Sequence, residues 1–169
     1  RVHTFSAAMC WAGADRLAKI ARRLELPDRV AYWRDRAEAI REHVLEHAWN
    51  PAVGAFTSSY GGDDLDATAL LLPELGLVDG RDPRFVSTLA AIERDLKDGD
   101  WLYRYRHRDD FGKPETAFTI CAFWYVNALD YAGRREEARD LFERLLARRT
   151  RLGLLSEDID PVTGEWWGN

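Results

Sequence analysis

Apolar and charged residues alternate along this chain by segment, and the segments have helical length and periodicity. Ser6 to Leu24 is apolar through its first half, with no charge before Asp15. Asp28 to Ala48 follows after only Glu25, Leu26 and Pro27, and it carries nine charged residues in 21. Leu65 to Leu75 is apolar again, with Pro73 marking its end, whereas Pro83 to Lys97 is amphipathic, with five charges in 15. Thr116 to Ala132 holds a single charge, Asp130, and after Gly133 the stretch Arg134 to Arg149 holds ten in 16. A helix apolar on all sides must be surrounded by protein, and one with a charged face must border water. The pattern therefore predicts three pairs, each an inner helix followed by an outer one.

The connections alternate too. Within a pair the link is short; between pairs it is long, from Trp49 to Asp64, from Asp98 to Glu115, and from Thr150 onward. Antiparallel hairpins put all short turns at one end, so the long loops gather at the other, beside the N-termini of the inner helices. Free N–H groups and partial positive charge there suit hydroxyl and carboxylate ligands. Inner and outer helices alternating around a ring make an all-α barrel, and three pairs form half of an (α/α)6 toroid. An α-solenoid of the tetratricopeptide type is disfavoured, because the pairs share neither a common length nor a consensus.

Composition narrows the partners. The chain has 169 residues, with 29 Asp and Glu against 24 Lys and Arg, and its charges are dispersed, which argues against nucleic acid and anionic membranes. No run approaches a membrane span; a cytoplasmic location is expected, with a signal peptide upstream of Arg1 left open. The start at Arg1, already on the approach to a helix, is expected to be internal to a longer protein. Cys10 and Cys121 have no partners at metal-ligand spacing and read as reduced core thiols. The loops hold Trp49, Phe56, Tyr60, Trp101, Tyr103, Tyr105, Phe111, Trp166 and Trp167. Together these rings suit a sugar pocket, although each alone could be packing beneath a loop.

Glu157 stands in the loop Gly153 to Pro161, between apolar residues and the pair Trp166-Trp167. A carboxylate beside aromatic rings is what a glycosidase needs, one group taking a proton from water while flat rings stack on the sugar. A solvated acidic turn, reversed by Pro161 and Gly164, explains the same residues. His43-Val44-Leu45-Glu46-His47 matches an inverted zinc-peptidase pattern, but it lacks a third ligand and ends a charged outer helix, so it reads as a solvated helix end. Asp158 to Glu165 lacks the glycine and ligand positions of a calcium loop. The arginines between Trp101 and Asp110 suit a carboxylate or sugar hydroxyls better than phosphate in an acidic chain.

Four stretches together resemble glycoside hydrolase family 15, the glucoamylase, glucodextranase and bacterial trehalase-like group. They are Thr4 to Trp11 with Asp15-Arg16; Phe56 to Gly61 leading to Leu65-Asp66-Ala67; Tyr103-Arg104-Tyr105 leading to Glu115 to Phe118 and Phe123-Trp124; and Leu154 to Glu157 leading to Trp167-Gly168-Asn169. The resemblance implies an (α/α)6 toroid that hydrolyses α-glucosidic bonds with inversion. On it, residues 1–169 are a partial catalytic domain lacking the upstream half and the end of the barrel. Glu157 corresponds to the general base, and Arg104 to the arginine that binds sugar hydroxyls, with Arg106 an alternative alignment. Trp101, Tyr60, Tyr105, Trp166 and Trp167 are the expected sugar contacts. The family's general acid lies in a Trp-Glu motif upstream of Ser6, and none precedes Ser6 here. Ala7 replaces a lysine frequent in the family, which leaves maltooligosaccharide, dextran and trehalose open as substrates. No cofactor and no metal is implied, and the expected partner is an oligosaccharide or disaccharide. Two other classes remain: a non-catalytic helical scaffold, and another toroidal sugar enzyme such as an epimerase or lyase, which would need histidines on the inner helices.

Overall fold

The structure is a computed structural model that describes residues 1–110 and 112–168; Phe111, among the expected loop aromatics, and Asn169, the last residue of the Trp-Gly-Asn stretch, lie outside the described residues. Five of the six expected helical segments are present with small changes at their ends. Helices α1 (Thr4–Arg23) and α2 (Pro27–His47) form the first pair. Leu24 closes α1, Glu25 adopts a left-handed turn with φ 55, and Pro27 opens α2, a position where its missing N–H costs nothing. The third pair is α5 (Thr119–Tyr131) and α6 (Arg135–Ala147), joined through Gly133 at φ 86.

The middle pair departs from the expectation. Leu65 to Leu75 is not one α-helix: Ala67–Leu71 is a 3-10 helix and only Leu72–Leu75 is α-helical, labelled α3. The Asp66 carboxylate accepts the Thr68 N–H at 2.8 Å and the Thr68 hydroxyl at 2.7 Å, tightening the first turn. Pro73 has no N–H to offer the carbonyl of Ala69, which instead accepts from Leu72. Gly76, left-handed at φ 86, ends α3, and Asp82 then caps α4 (Pro83–Leu96) by accepting the Arg84 N–H.

The inner segments lie side by side, with α3 and the 3-10 helix between α1 and α5, while α2 packs along α1 and α6 along α5. The core between the layers includes Trp11, Phe56, Leu70, Leu72, Phe85, Leu89, Ile92, Leu129, Leu141 and Leu145. Two short hairpins stand in the long connections: β1 (Trp49–Asn50) with β2 (Ala55–Phe56), and β3 (Lys97–Asp98) with β4 (Trp101–Leu102). A three-stranded sheet joins β5 (Ala117–Phe118), β6 (Asp158–Ile159) and β7 (Trp166–Trp167), all antiparallel. The expected start of the fifth helix is thereby corrected: Ala117 and Phe118 are strand, held by Ile159 and Asp158.

One face of the inner layer is uncovered. On α1, Met9, Leu17, Ile20 and Leu24 are exposed, and so are Ile120 and Tyr131 on α5. Cys10, also on α1, is exposed, which corrects its assignment as a core thiol; Cys121 is buried, and burial pushes its thiol up to about 12. Among the described residues, no helix is long and apolar enough to cross a membrane.

Candidate active site

Each pair closes on itself by the same bond. After its outer helix the chain reverses through a tight turn and returns to the head of its own inner segment, where a loop carbonyl accepts an N–H of the first residue. Thr4 donates to Ser58 at 3.0 Å, Ala67 to Arg104 at 2.8 Å, and Thr119 to Glu157 at 2.8 Å. The turns are β1-β2, β3-β4, and a loop in which Thr150 donates to Leu154 with Gly153 at φ 81. Ser58, Arg104 and Glu157 are thus equivalent positions on three neighbouring repeats. Such a bond satisfies one of the orphan donors at a helix start and fixes the residue that supplies the carbonyl.

Arg104 and Glu157 line one open cleft of about 350 Å³, together with Tyr105, Asp109, Lys113, Phe118 and Asp158. The Arg104 guanidinium faces Asp66, Nε to Oδ2 3.6 Å. Tyr105 donates its hydroxyl to Asp109 at 2.5 Å and stacks on His107 with centroids 4.5 Å apart. That bond, then burial, raises the Tyr105 hydroxyl above its ordinary value. Burial and the neighbouring Glu157 charge raise the Asp158 carboxyl. Glu157 itself is exposed, not enclosed by rings. Gly168, at φ 77, passes so close that a Cβ there would stand 3.0 Å from Oε2 of Glu157.

The remaining expected contacts are spread out. Trp101 is 6 % exposed and belongs to the core, since the β3-β4 hairpin turns it inward opposite Asp98. Tyr60 is half-buried with its ring 5.4 Å from His43 and 5.7 Å from His47, and it does not line the cleft. Trp166 and Trp167 stand exposed on β7, with Trp167 paired to Asp158 beside Glu157. Arg106 lies 4.2 Å over the Tyr103 ring and 3.8 Å from Asp98, so Arg104 and not Arg106 reaches the cleft with Glu157. The His43 and His47 rings lie 4.0 Å apart, tilted by 37°. The Asp160 carboxylate is turned to the N–H groups of Val162 and Thr163, which hold it below the usual carboxylate range. The sequence reading did not name Asp109, Lys113, Phe118 or Asp158 as cleft residues or Asp66 as the arginine's partner; Asp66 and Phe118 stood in the stretches that carry the resemblance, and Asp158 stands next to Glu157.

The family model described as glycosyl hydrolases family 15 matches residues 1–169. A trehalase of Mycobacterium tuberculosis is 39 % identical over 98 % of this chain and 25 % of its own length. A trehalase of Thermoplasma volcanium is 34 % identical over 99 % of this chain and 27 % of its own. The chain therefore spans about a quarter of the curated relatives it matches. Among solved structures, a glycosidase in complex with glucose superposes with a TM-score of 0.80 at 18 % identity, over 94 % of this chain and 42 % of that one. That likeness shows a shared helical fold.

Proposed function

This chain belongs to glycosyl hydrolases family 15, and from that membership we propose that it forms part of an (α/α)6 toroid that hydrolyses α-glucosidic bonds with inversion. Glu157 is the general base that activates water, Arg104 holds sugar hydroxyls, and the general acid comes from residues outside this chain. One observation carries the reading: Arg104 and Glu157, delivered by the same closure to neighbouring inner heads, line one cleft. Inversion needs acid and base roughly 6.5 to 9.5 Å apart with a water between them. Glu157 is exposed, so its carboxylate is open to water. Tyr105, Phe118 and the exposed Trp167 are the aromatic surfaces nearest it. The trehalase relatives favour trehalose as the substrate.

The test is Glu157→Gln in the full-length protein. The amide keeps the shape and loses the basicity, so kcat should fall roughly 10²-fold or more, general-base contributions being of order 10² to 10⁴. KM should change little. The anomers reveal the stereochemistry: inversion yields one α- and one β-glucose from each trehalose, and β-glucose first from a maltooligosaccharide. Unchanged turnover in the variant, or two α-glucose molecules from trehalose, would refute the assignment.

A further inference from the structure

We propose that Asp66 is a positioning residue that presets the Arg104 guanidinium for the sugar; this deepens, and rests on, the reading of Arg104 as a sugar-binding group. Asp66 and its neighbour hold Arg104 at two points. The Ala67 N–H donates to the Arg104 carbonyl at 2.8 Å, fixing the backbone, and Asp66 Oδ2 stands 3.6 Å from Arg104 Nε, restraining the side chain. The carboxylate is itself held, because Oδ1 accepts both the N–H and the hydroxyl of Thr68. Its side chain is only 16 % exposed, whereas that of Arg104 is 46 % exposed. The anchor is therefore rigid and the anchored group reaches into the cleft.

The three closures supply an internal comparison. The residue before the donor is His3 at the first inner head, Asp66 at the second and Phe118 at the third. Among these heads, an acid occurs only where the returning residue is an arginine. A half-exposed ion pair adds little to stability, so its consequence lies in orientation: an arginine held in one arrangement loses less side-chain freedom when a sugar binds. The Asp66 charge also reaches Tyr105 in the same cleft, where it contributes to the raised hydroxyl.

The experiment is a double-mutant cycle on trehalose hydrolysis in the full-length protein. Asp66→Asn keeps an oxygen to accept from Thr68 but removes the charge facing Arg104. Its KM should rise about five- to tenfold, with kcat within about twofold and an unchanged Tm, the signature of lost uniform binding. Arg104→Ala should raise KM further, and Asp66→Asn should add nothing in that background. Thr68→Ala removes one of the two bonds that hold the carboxylate and should raise KM less than Asp66→Asn does, while the unchanged Tm of Asp66→Asn separates positioning from local folding. A wild-type KM in Asp66→Asn, or an equal additional loss in the Arg104→Ala background, would overturn the proposal. If Arg104→Ala leaves KM unchanged, the sugar-binding reading of Arg104 falls with it; if KM rises there and not in Asp66→Asn, only the positioning role falls.

Discussion

Glu157 is placed by its backbone and limited by its neighbour. Its carbonyl is tied to Thr119, so the carboxylate can swing only about the side-chain torsions, and Gly168 occupies the space on one side of it. Gly168→Ala combines two effects. At φ 77 any side chain is strained, and the new Cβ, 3.0 Å from both Cβ and Oε2 of Glu157, must push the carboxylate aside. Gly164, at φ 72 with nothing within 4 Å of where an added methyl would stand, isolates the first effect. Both alanine variants should lose about 1 kcal/mol of stability, but only Gly168→Ala should lose activity, by about tenfold to 10²-fold, as displaced catalytic groups do. Melting curves and kcat for the two variants check this; equal activity in both would show that Gly168 does not constrain Glu157. The glycine was visible in the sequence as part of the Trp-Gly-Asn stretch, but the reason for it was not, because the contact spans two strands.

At the scale of elements, the helix ends show what local sequence encodes. Pro83 after Asp82, Gly76 after Leu75 and Gly133 after α5 each stop or start a helix through their own backbone chemistry, and all three lie where the sequence put an end. Elements set by distant partners were illegible. Ala117–Phe118 is strand because residues 158 and 159 pair with it, and Trp101 faces the core because a hairpin turns it, neither of which periodicity records. The 3-10 form of Ala67–Leu71 likewise depends on the Asp66 side chain and on Pro73, inside a run that reads only as apolar. The cap of α4 gives a pH prediction. Asp82 accepts the Arg84 N–H at 2.8 Å and pairs with its guanidinium at 3.1 Å; that side-chain bond, against the opposing effect of burial, holds its carboxyl below the usual value. A depressed folded pKa means the stabilisation is complete above the unfolded pKa and fades as pH falls through the folded one. Asp82→Ala should therefore cost about 1 kcal/mol at neutral pH, with the gap to the unchanged protein narrowing on acidification. Urea midpoints at neutral pH and below the carboxylate range measure the gap, and a gap that widens in acid would contradict the assignment.

At the scale of the whole molecule, the uncovered inner face bears on the toroid. Met9, Leu17 and Ile20 follow helical spacing along α1 to Leu24 at its end, and Ile120 and Tyr131 are exposed on α5, apolar exposure on both inner helices that a covering surface explains. In the proposed toroid, helices from outside this chain would cover these positions. The two cysteines read this out, since Cys10 on α1 is exposed and Cys121 on α5 is buried. Peptide-mapped alkylation of the isolated segment 1–169 should modify Cys10 readily and spare Cys121, and protection of Cys121 also reports that the segment is folded. In the full-length protein Cys10 should become protected by about tenfold or more, while Cys121 stays protected. Burial pushes the Cys121 thiol up to about 12, so its reactivity should remain suppressed at mildly alkaline pH as well, thiolate being the reactive form. Equal labelling of Cys10 in the segment and in the full-length protein would mean that nothing covers this face, and the half-toroid reading would have to be abandoned.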